Sequence, residues 1–393
     1  MAASWAVIGG SGRHKPRIEV ARAPHQAPAD TAPLIDPADQ APAKPEKRSF
    51  TVAATGDILL HSQLWEQAAQ YAQGSDQSYN FRPMFAEVRP VLSAADLAIC
   101  HMETPLSAND QNLSSFPVFN VPNEIADAVA WAGYDECSTA SNHSIDQGSS
   151  GVGSTLDALD AAGVSHAGTA RSAEEARHIT FLRVNGVKVA HLSYAYGFNG
   201  FTPEDPWEAN SIQPWKIIED ARRARQRGSE FTIVSLHWGT EYVNDPTYPQ
   251  RQVVDRLAPS KYVDLIIGHH AHVVQPIDRY SNKVVVFGMG NFLSGMTTSL
   301  GHPGVDDGVI VSITVTEGHS SFAVSKVAYT PTWVEPGTWH ILPVAASLDS
   351  PRTPDGERPL LEASWARTTG IVESLGADSW GVEPRRSPER QGD

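Results

Sequence analysis

Short apolar runs that stop on polar residues alternate with helical periodicity through the first two thirds of the chain. Phe50-Thr51-Val52-Ala53-Ala54-Thr55 ends at Gly56-Asp57 and reads as a buried strand. Leu64 to Tyr71 follows as helix, and Asp96-Leu97-Ala98-Ile99-Cys100 as a second strand running into His101-Met102-Glu103. Glu124 to Trp131 is a helix stopped by Gly133, and a short strand then leads into Ser138-Thr139-Ala140-Ser141-Asn142-His143. Thr155 to Ala162 is helical with Gly163 as its stop. Lys188 to Tyr194 and Phe231 to Leu236 are the next strands, separated by a helix from Trp215 to Arg227 that Gly228 terminates. Val253 to Leu257 reads as helix, Val263 to Ile267 as strand and Val284 to Phe287 as strand. Gly308 to Val315 and Phe322 to Tyr329 alternate apolar with polar and predict an antiparallel pair. Strands interleaved with helices first and hairpins later predict a mixed α/β domain with helices outside the sheets.

The flanks read differently. Residues 1–49 are rich in Pro and Ala without periodicity and predict a linker or N-terminal extension, leaving a domain over 50–345. The apolar opening Met1 to Gly10 lacks a basic leader and is too short for a convincing signal peptide. No apolar run reaches the about 18 residues of a spanning helix. From 346 to 393 Pro, Arg, Glu and Gly surround one short helical stretch, which predicts a loosely structured tail. The formal net charge of -15 argues against a nucleic-acid-binding surface. Cys100 and Cys137 each sit in apolar runs and read as small buried core residues, and two cysteines make no disulfide framework.

The chemistry gathers at strand ends, where α/β folds bind ligands. Asp57 follows the first strand, Glu103 the second, and Asn142 with His143 the third. His237 ends the Phe231 strand, and His270 and His272 follow the Val263 strand, where alternate positions on an extended segment point the same way. Oxygen donors from Asp57, Glu103 and Asn142 with imidazoles from His237, His270 and His272 suit one or two divalent transition metals, Mn, Fe or Zn, better than Mg or Ca. A carboxylate can bridge two cations about 3.5–4 Å apart, and metal-bound water becomes a nucleophile at neutral pH. His143 would supply the leaving-group proton. Glu241 fits a supporting or a surface role equally, Asp146 reads most simply as a helix-initiating or supporting carboxylate, Asn291 either lines the pocket or terminates a strand, and His61, His101 and His269 read most simply as ordinary core or surface histidines. A P-loop and a Gly-x-Ser-x-Gly elbow are both missing from the sequence.

Gly56-Asp57-Ile58-Leu59-Leu60, the strand from Asp96 to Glu103, Ser141-Asn142-His143-Ser144-Ile145-Asp146-Gln147-Gly148, His237 to Tyr242, Gly268-His269-His270-Ala271-His272 through Pro276, and Gly290-Asn291-Phe292 together resemble the CapA capsule family over about residues 50 to 335. That family is associated with poly-gamma-glutamate and capsule synthesis and is similar to the calcineurin-like metallophosphatases. The resemblance implies a two-sheet sandwich flanked by helices. It places Asp57 and His272 on one metal, Glu103 as the bridge, and Asn142, His237 and His270 on the second, with His143 as proton donor. Two positions depart from the phosphatase pattern: Leu59 stands where a metal-binding histidine is usual, and Glu103 where an aspartate bridges. His61 or Thr104 would have to fill the first gap. The resemblance implies a metal-dependent hydrolase acting on a phosphoester or related bond, with an anionic polymer or a phosphorylated or gamma-glutamyl small molecule as substrate. Its alternatives are a non-hydrolytic accessory subunit of a membrane synthesis complex and a metal-dependent amide hydrolase or amide-forming enzyme. The location it implies is extracytoplasmic or membrane-associated.

Overall fold

Alternation along the strands sorts the chain into layers. The computed structural model describes residues 47–298 and 301–386, so most of the expected N-terminal linker lies outside the described residues. Strands β1 (Ser49–Leu59), β2 (Leu97–Met102), β3 (Glu136–Ser138) and β4 (Ser165–Ala167) run parallel in one sheet. The chain then builds a second sheet from β5 (Thr180–Val184), β6 (Val187–Ala195), β7 (Phe231–His237), β8 (Leu265–His269), β9 (Ile277–Tyr280) and β10 (Lys283–Val286), in the order β5-β6-β7-β8-β10-β9. It returns to the first sheet through β11 (Asn291–Ser294), β12 (Asp307–Glu317), β13 (Phe322–Val334), β14 (Ile341–Pro343) and β15 (Val382–Pro384). β12 pairs antiparallel with β1 and β13, as the alternating pattern predicts.

Phe50, Val52, Leu97, Ile99, Val189, Phe231, Ile233, Leu265, Ile267 and Val311 share one buried cluster between the sheets. Their odd-phase neighbours Ala98, Cys100 and Met102 face the helices Ser62–Tyr71 and Ile125–Ala132 instead. Val234, Leu236, Ile266 and Phe287 likewise face the helices Pro214–Gln226 and Tyr248–Leu257. The result is helix on sheet on sheet on helix, the sandwich that the resemblance implies.

The inner face changes character along its length. Towards the C-terminal ends of the parallel strands the inward positions become His101, Glu136 and Ser138 from the first sheet and His191, Ser193, Ser235, His237 and His269 from the second, all buried. Burying that many polar groups is stable only if they find partners.

Several elements depart from the sequence-based expectation. The helix expected from Thr155 begins at Gly148, its first turns being too rich in Gly and Ser to show a period. The helix expected from Val253 begins at Tyr248, where Thr247 and Gln250 form a reciprocal capping box ahead of a polar turn. Residues 346–386 carry more order than their composition predicts: the 15-residue helix Arg358–Val372 buries Leu361 and Val372, and β15 pairs with β13. Asp307 accepts from Ser364 at 2.6 Å and from the Arg367 guanidinium at 2.9 Å, tying this helix to β12. Cys100 and Cys137 are buried as expected, and they also stand in register on β2 and β3 and are joined as a disulfide. Among the described residues no helix is long and apolar enough to cross a membrane.

Candidate metal centre

Asp57 is placed by the strand it ends. Register breaks on both sides of it in β1, and Gly56 lies so close to β11 that a Cβ there would meet the Gly290 carbonyl oxygen at 1.9 Å. Only glycine permits that approach. The Asp57 carboxylate accepts from the His270 backbone N–H at 3.2 Å and lies 3.2 Å from His272 Nδ1 and 3.6 Å from His269 Nδ1. Burial would raise this carboxyl, but the His269 and His272 contacts override it and hold it well below the ordinary range.

Glu103 follows β2 and is fully buried, with neither carboxylate oxygen hydrogen-bonded. Its Oε1 lies 3.9 Å from His237 Nε2 and 3.8 Å from His272 Nε2, nearly midway between the two rings. Burial pushes its pKa well above normal, partly offset by His272, itself raised to about 9 because Glu103 and Asp57 outweigh its own desolvation.

Asn142 sits in a turn closed by its neighbours. Ser141 Oγ donates to the Glu103 carbonyl at 2.6 Å, and the His143 N–H donates to Ser141 Oγ at 3.0 Å. This carries Asn142 Oδ1 to 2.9 Å from His237 Nε2. Beyond β7, Trp238 Nε1 donates to the Phe287 carbonyl, and Gln250 Nε2 reaches Gln275 at 2.7 Å, anchoring the loop that carries Glu241 and Tyr242. Glu241 itself is exposed, with a carboxylate oxygen within 4.8 Å of ligand atoms of His270 and His272.

His270 and His272 converge by a different route from strand alternation. β8 ends at His269, and both residues adopt positive φ, 93° and 55°. The turn, rather than an extended pleat, brings their rings to 5.9 Å, in a backbone conformation that costs a non-glycine residue energy and concentrates at functional sites. Asn291 Oδ1 accepts from His272 Nδ1 at 3.0 Å while its amide donates to the Val305 carbonyl at 2.8 Å, so the amide orientation puts a proton on His272 Nδ1 and turns Nε2 toward Glu103. Burial and the neighbouring His272 lower His270 to about 3.

His143 Nδ1 donates to Asp146 Oδ2 at 2.7 Å, and that oxygen also accepts from the Phe119 N–H at 2.8 Å. The Phe119 ring stands edge-on to both His143 and His61. His61 lies near the cluster, and burial lowers it to about 4, but its Nδ1 faces the Leu59 carbonyl and the Gly295 N–H, and it joins none of the metal-capable groupings among the described residues. Thr104 is buried with Oγ1 unpaired. Leu59 points into the core on the helix side of the sheet.

The structure brings in four residues that the strand-end reading passes over. His101, read as an ordinary histidine, groups with Asp57 and His237 in a metal-capable triplet, stacks on His269 at 4.1 Å and places Nε2 2.9 Å from His237 Nδ1. His269 lies against Asp57. Period-two counting exposes both: Leu97, Ile99, His101 and Glu103 share a face, as do Leu265, Ile267 and His269. Tyr196 and Asn199 follow β6. The Tyr196 ring lies 4.6 Å from that of His270 and remains half-exposed, and the Asn199 amide reaches His143 at 3.3 Å.

An unpaired buried carboxylate, imidazole nitrogens near it and an amide oxygen beside them are donors that could hold a divalent transition metal. A capsule biosynthesis protein CapA of Bacillus anthracis is 28% identical over 258 residues, 63% of this chain and 60% of that one. A probable polyglutamine synthesis accessory protein of Mycobacterium tuberculosis is 24% identical over 248 residues, 59% of this chain and 65% of that one. The chain thus spans less than two thirds of the length of these relatives. Among solved structures, a calcineurin-like phosphoesterase of Bacillus subtilis aligns at 14% identity with a TM-score of 0.42, covering 73% of this chain and 91% of that one. The description of bacterial capsule synthesis proteins, PGA_cap, matches residues 51–296, more than half of the chain and the whole run from β1 to Met296 that carries these donors, so the chain belongs to that family.

Proposed function

We propose that this chain is a metal-dependent hydrolase acting on a phosphoester or a related activated bond in the making of a capsule or poly-gamma-glutamate-type polymer. The observation that carries this reading is Glu103, a fully buried carboxylate without a hydrogen bond, nearly equidistant from His237 Nε2 and His272 Nε2. A buried charge in such a place is stable when it shares a cation. On this reading Asp57, Glu103 and His272 would hold one ion, and Asn142, His237 and His270, together with Glu103, would hold a second, with Glu241 at the open side. Mn, Fe or Zn fits this nitrogen-rich set. When bound, such ions supply Lewis-acid polarisation and lower the pKa of water.

The protein's own groups do the rest. Asp146 holds His143 by Nδ1 and so fixes the ring with Nε2 free to deliver a proton to the departing group. Asn199 braces the same ring, and the half-exposed Tyr196 phenol, raised by burial and by the charges of Glu241 and Glu103, stays a neutral donor at the rim. The substrate would be an anionic polymer or a phosphorylated or gamma-glutamyl small molecule, handled alone or beside a membrane synthesis complex. A second reading, a non-hydrolytic accessory role, is supported by the name of the mycobacterial relative.

Metal analysis of the purified protein, joined to a panel of phosphomonoesters, phosphodiesters and gamma-glutamyl peptides, tests the proposal. The expected result is stoichiometric transition metal and turnover that falls by at least 100-fold in Asn142→Ala and His237→Ala. Protein with bound metal and no turnover on any member supports the accessory role. Protein without metal, with both variants unchanged, removes the hydrolase reading.

A further inference from the structure

The buried histidine His101 has no part in the ligand set above, yet it is the best-connected ring beneath it. The hydrogen-bond chain that contains it links Ser138 Oγ to His101 Nδ1 at 2.7 Å and His101 Nε2 to His237 Nδ1 at 2.9 Å, and these distances fit either direction of donation. A cation on His237 would choose between the two. His237 Nε2, which faces Asn142 Oδ1 at 2.9 Å and Glu103 Oε1 at 3.9 Å, must then be bare, so Nδ1 carries the proton of the neutral ring. His101 Nε2 then accepts from His237 Nδ1, and His101 Nδ1 donates to Ser138 Oγ, whose own hydroxyl can turn to the Cys100 carbonyl at 3.3 Å.

We propose that His101, held by Ser138, is a positioning residue that accepts the Nδ1 proton of His237 and so turns the His237 Nε2 lone pair toward the cation shared with Asn142. This rests on the reading of His237 as a metal ligand. His101 is too close to His237 to ligate through the same nitrogen, because Nε2 is already occupied by the Nδ1–H contact. Its place is instead the one that a carboxylate or backbone carbonyl commonly fills behind a metal-binding histidine. Here a neutral imidazole fills it, so the relay orients the ligand without adding a negative charge to a pocket that already holds Asp57 and Glu103. The relay also crosses between the sheets: His101 and Ser138 belong to the first, and His237 to the second. The same three side chains thus reach from one sheet to the other at this end.

The test uses the full chain with Zn²⁺ as the probe, its affinity measured by competition with a chelator, and ¹⁵N-histidine NMR of the wild-type protein. His101→Ala is expected to weaken Zn²⁺ binding about 10- to 100-fold. His101→Gln, whose amide oxygen can still accept, is expected to recover most of the loss, and Ser138→Ala to lose less than His101→Ala. The NMR spectrum of the Zn²⁺-loaded wild type is expected to show His237 protonated at Nδ1 and His101 bare at Nε2, a readout independent of whether any variant folds. Affinity of His101→Ala within twofold of wild type, or a His237 ring without a proton on Nδ1 in the loaded protein, overturns the relay. If His237→Ala and Asn142→Ala also leave Zn²⁺ binding unchanged, the metal-centre reading itself falls and the relay with it.

Discussion

Glu136 and His191 meet across the gap between the sheets, with Glu136 Oε1 2.8 Å from His191 Nδ1 and both side chains wholly buried, while His191 Nε2 contacts Ser235 Oγ at 2.7 Å. Glu136 opens β3 and His191 lies inside β6, so neither stands at the C-terminal strand end where strand-end counting looks for chemistry. They stabilise only as a pair, because each alone would leave an unpartnered polar group in the interior. His191→Ala is expected to cost about 3–5 kcal/mol in denaturant titrations. Replacing both, as Glu136→Met with His191→Leu, should cost much less, and a loss in the double variant equal to the sum of the Glu136→Met and His191→Leu losses would show that the pair carries no coupling. At this scale the sequence announced Asp57, Glu103, Asn142, His143, His237, His270 and His272 by type and order. It hid His101 and His269 because a histidine in an apolar strand looks like any other core residue until its phase is compared with its apolar neighbours. It also misled on how His270 and His272 converge, since nothing in Gly268 to Val273 signals two residues at positive φ.

Elements follow the same division. The long apolar strands were legible because parallel strands buried on both faces read as continuous runs. Helix starts were not: Gly148 to Gly153 lacks side chains that could show a period, and the Thr247 to Gln250 box precedes a polar turn. The helix Arg358–Val372 was masked by the Pro, Arg and Glu around it, although Leu361, Trp365, Thr368 and Val372 fall on one face at helical spacing. A chain ending at residue 349 tests its importance. It would uncover Trp333 and strip Asp307 of Ser364 and Arg367, leaving a carboxylate that burial already pushes upward without its donors. Losing the burial of Leu361 and Val372 costs about 1.5–3 kcal/mol each, and the stranded Asp307 adds more. The truncated protein is expected to unfold at a clearly lower urea concentration, and an unchanged midpoint would mean that the helix is dispensable.

On the scale of the whole molecule, the metal centre makes stability depend on pH. Burial lowers His101, His237 and His269, and lowers His61 to about 4 and His270 to about 3. For these groups the unfolded chain binds more protons below its ordinary histidine value of about 6.5, so their contribution is present above that value and lost as pH falls. Each withdraws up to about 1.4 kcal/mol per pH unit. The largest upward shifts among the carboxyls, those of Glu103 and of Glu124, raised by burial to about 7, run the other way, two against five imidazoles. His272, raised to about 9, contributes below 6.5 and loses that contribution as pH rises through 9. Metal-free protein is therefore expected to lose several kcal/mol between pH 6.5 and 4.5 in urea titrations, and equal stability at the two values would contradict the burial of these rings. The lengthwise change on the inner face, from Phe231 and Ile233 to Ser235 and His237, has a kinetic side as well. One end of the sandwich is sealed by apolar contacts, whereas the other is closed by polar groups that could share an ion. Amide hydrogen exchange in chelator-treated protein should be slowest at Phe231 to Ile233 and quicken toward His237, as the polar end opens locally while the apolar end waits for global unfolding. Returning the metal should erase that gradient, so the histidine-lined end of the sandwich would be the part that breathes and a bound ion its latch.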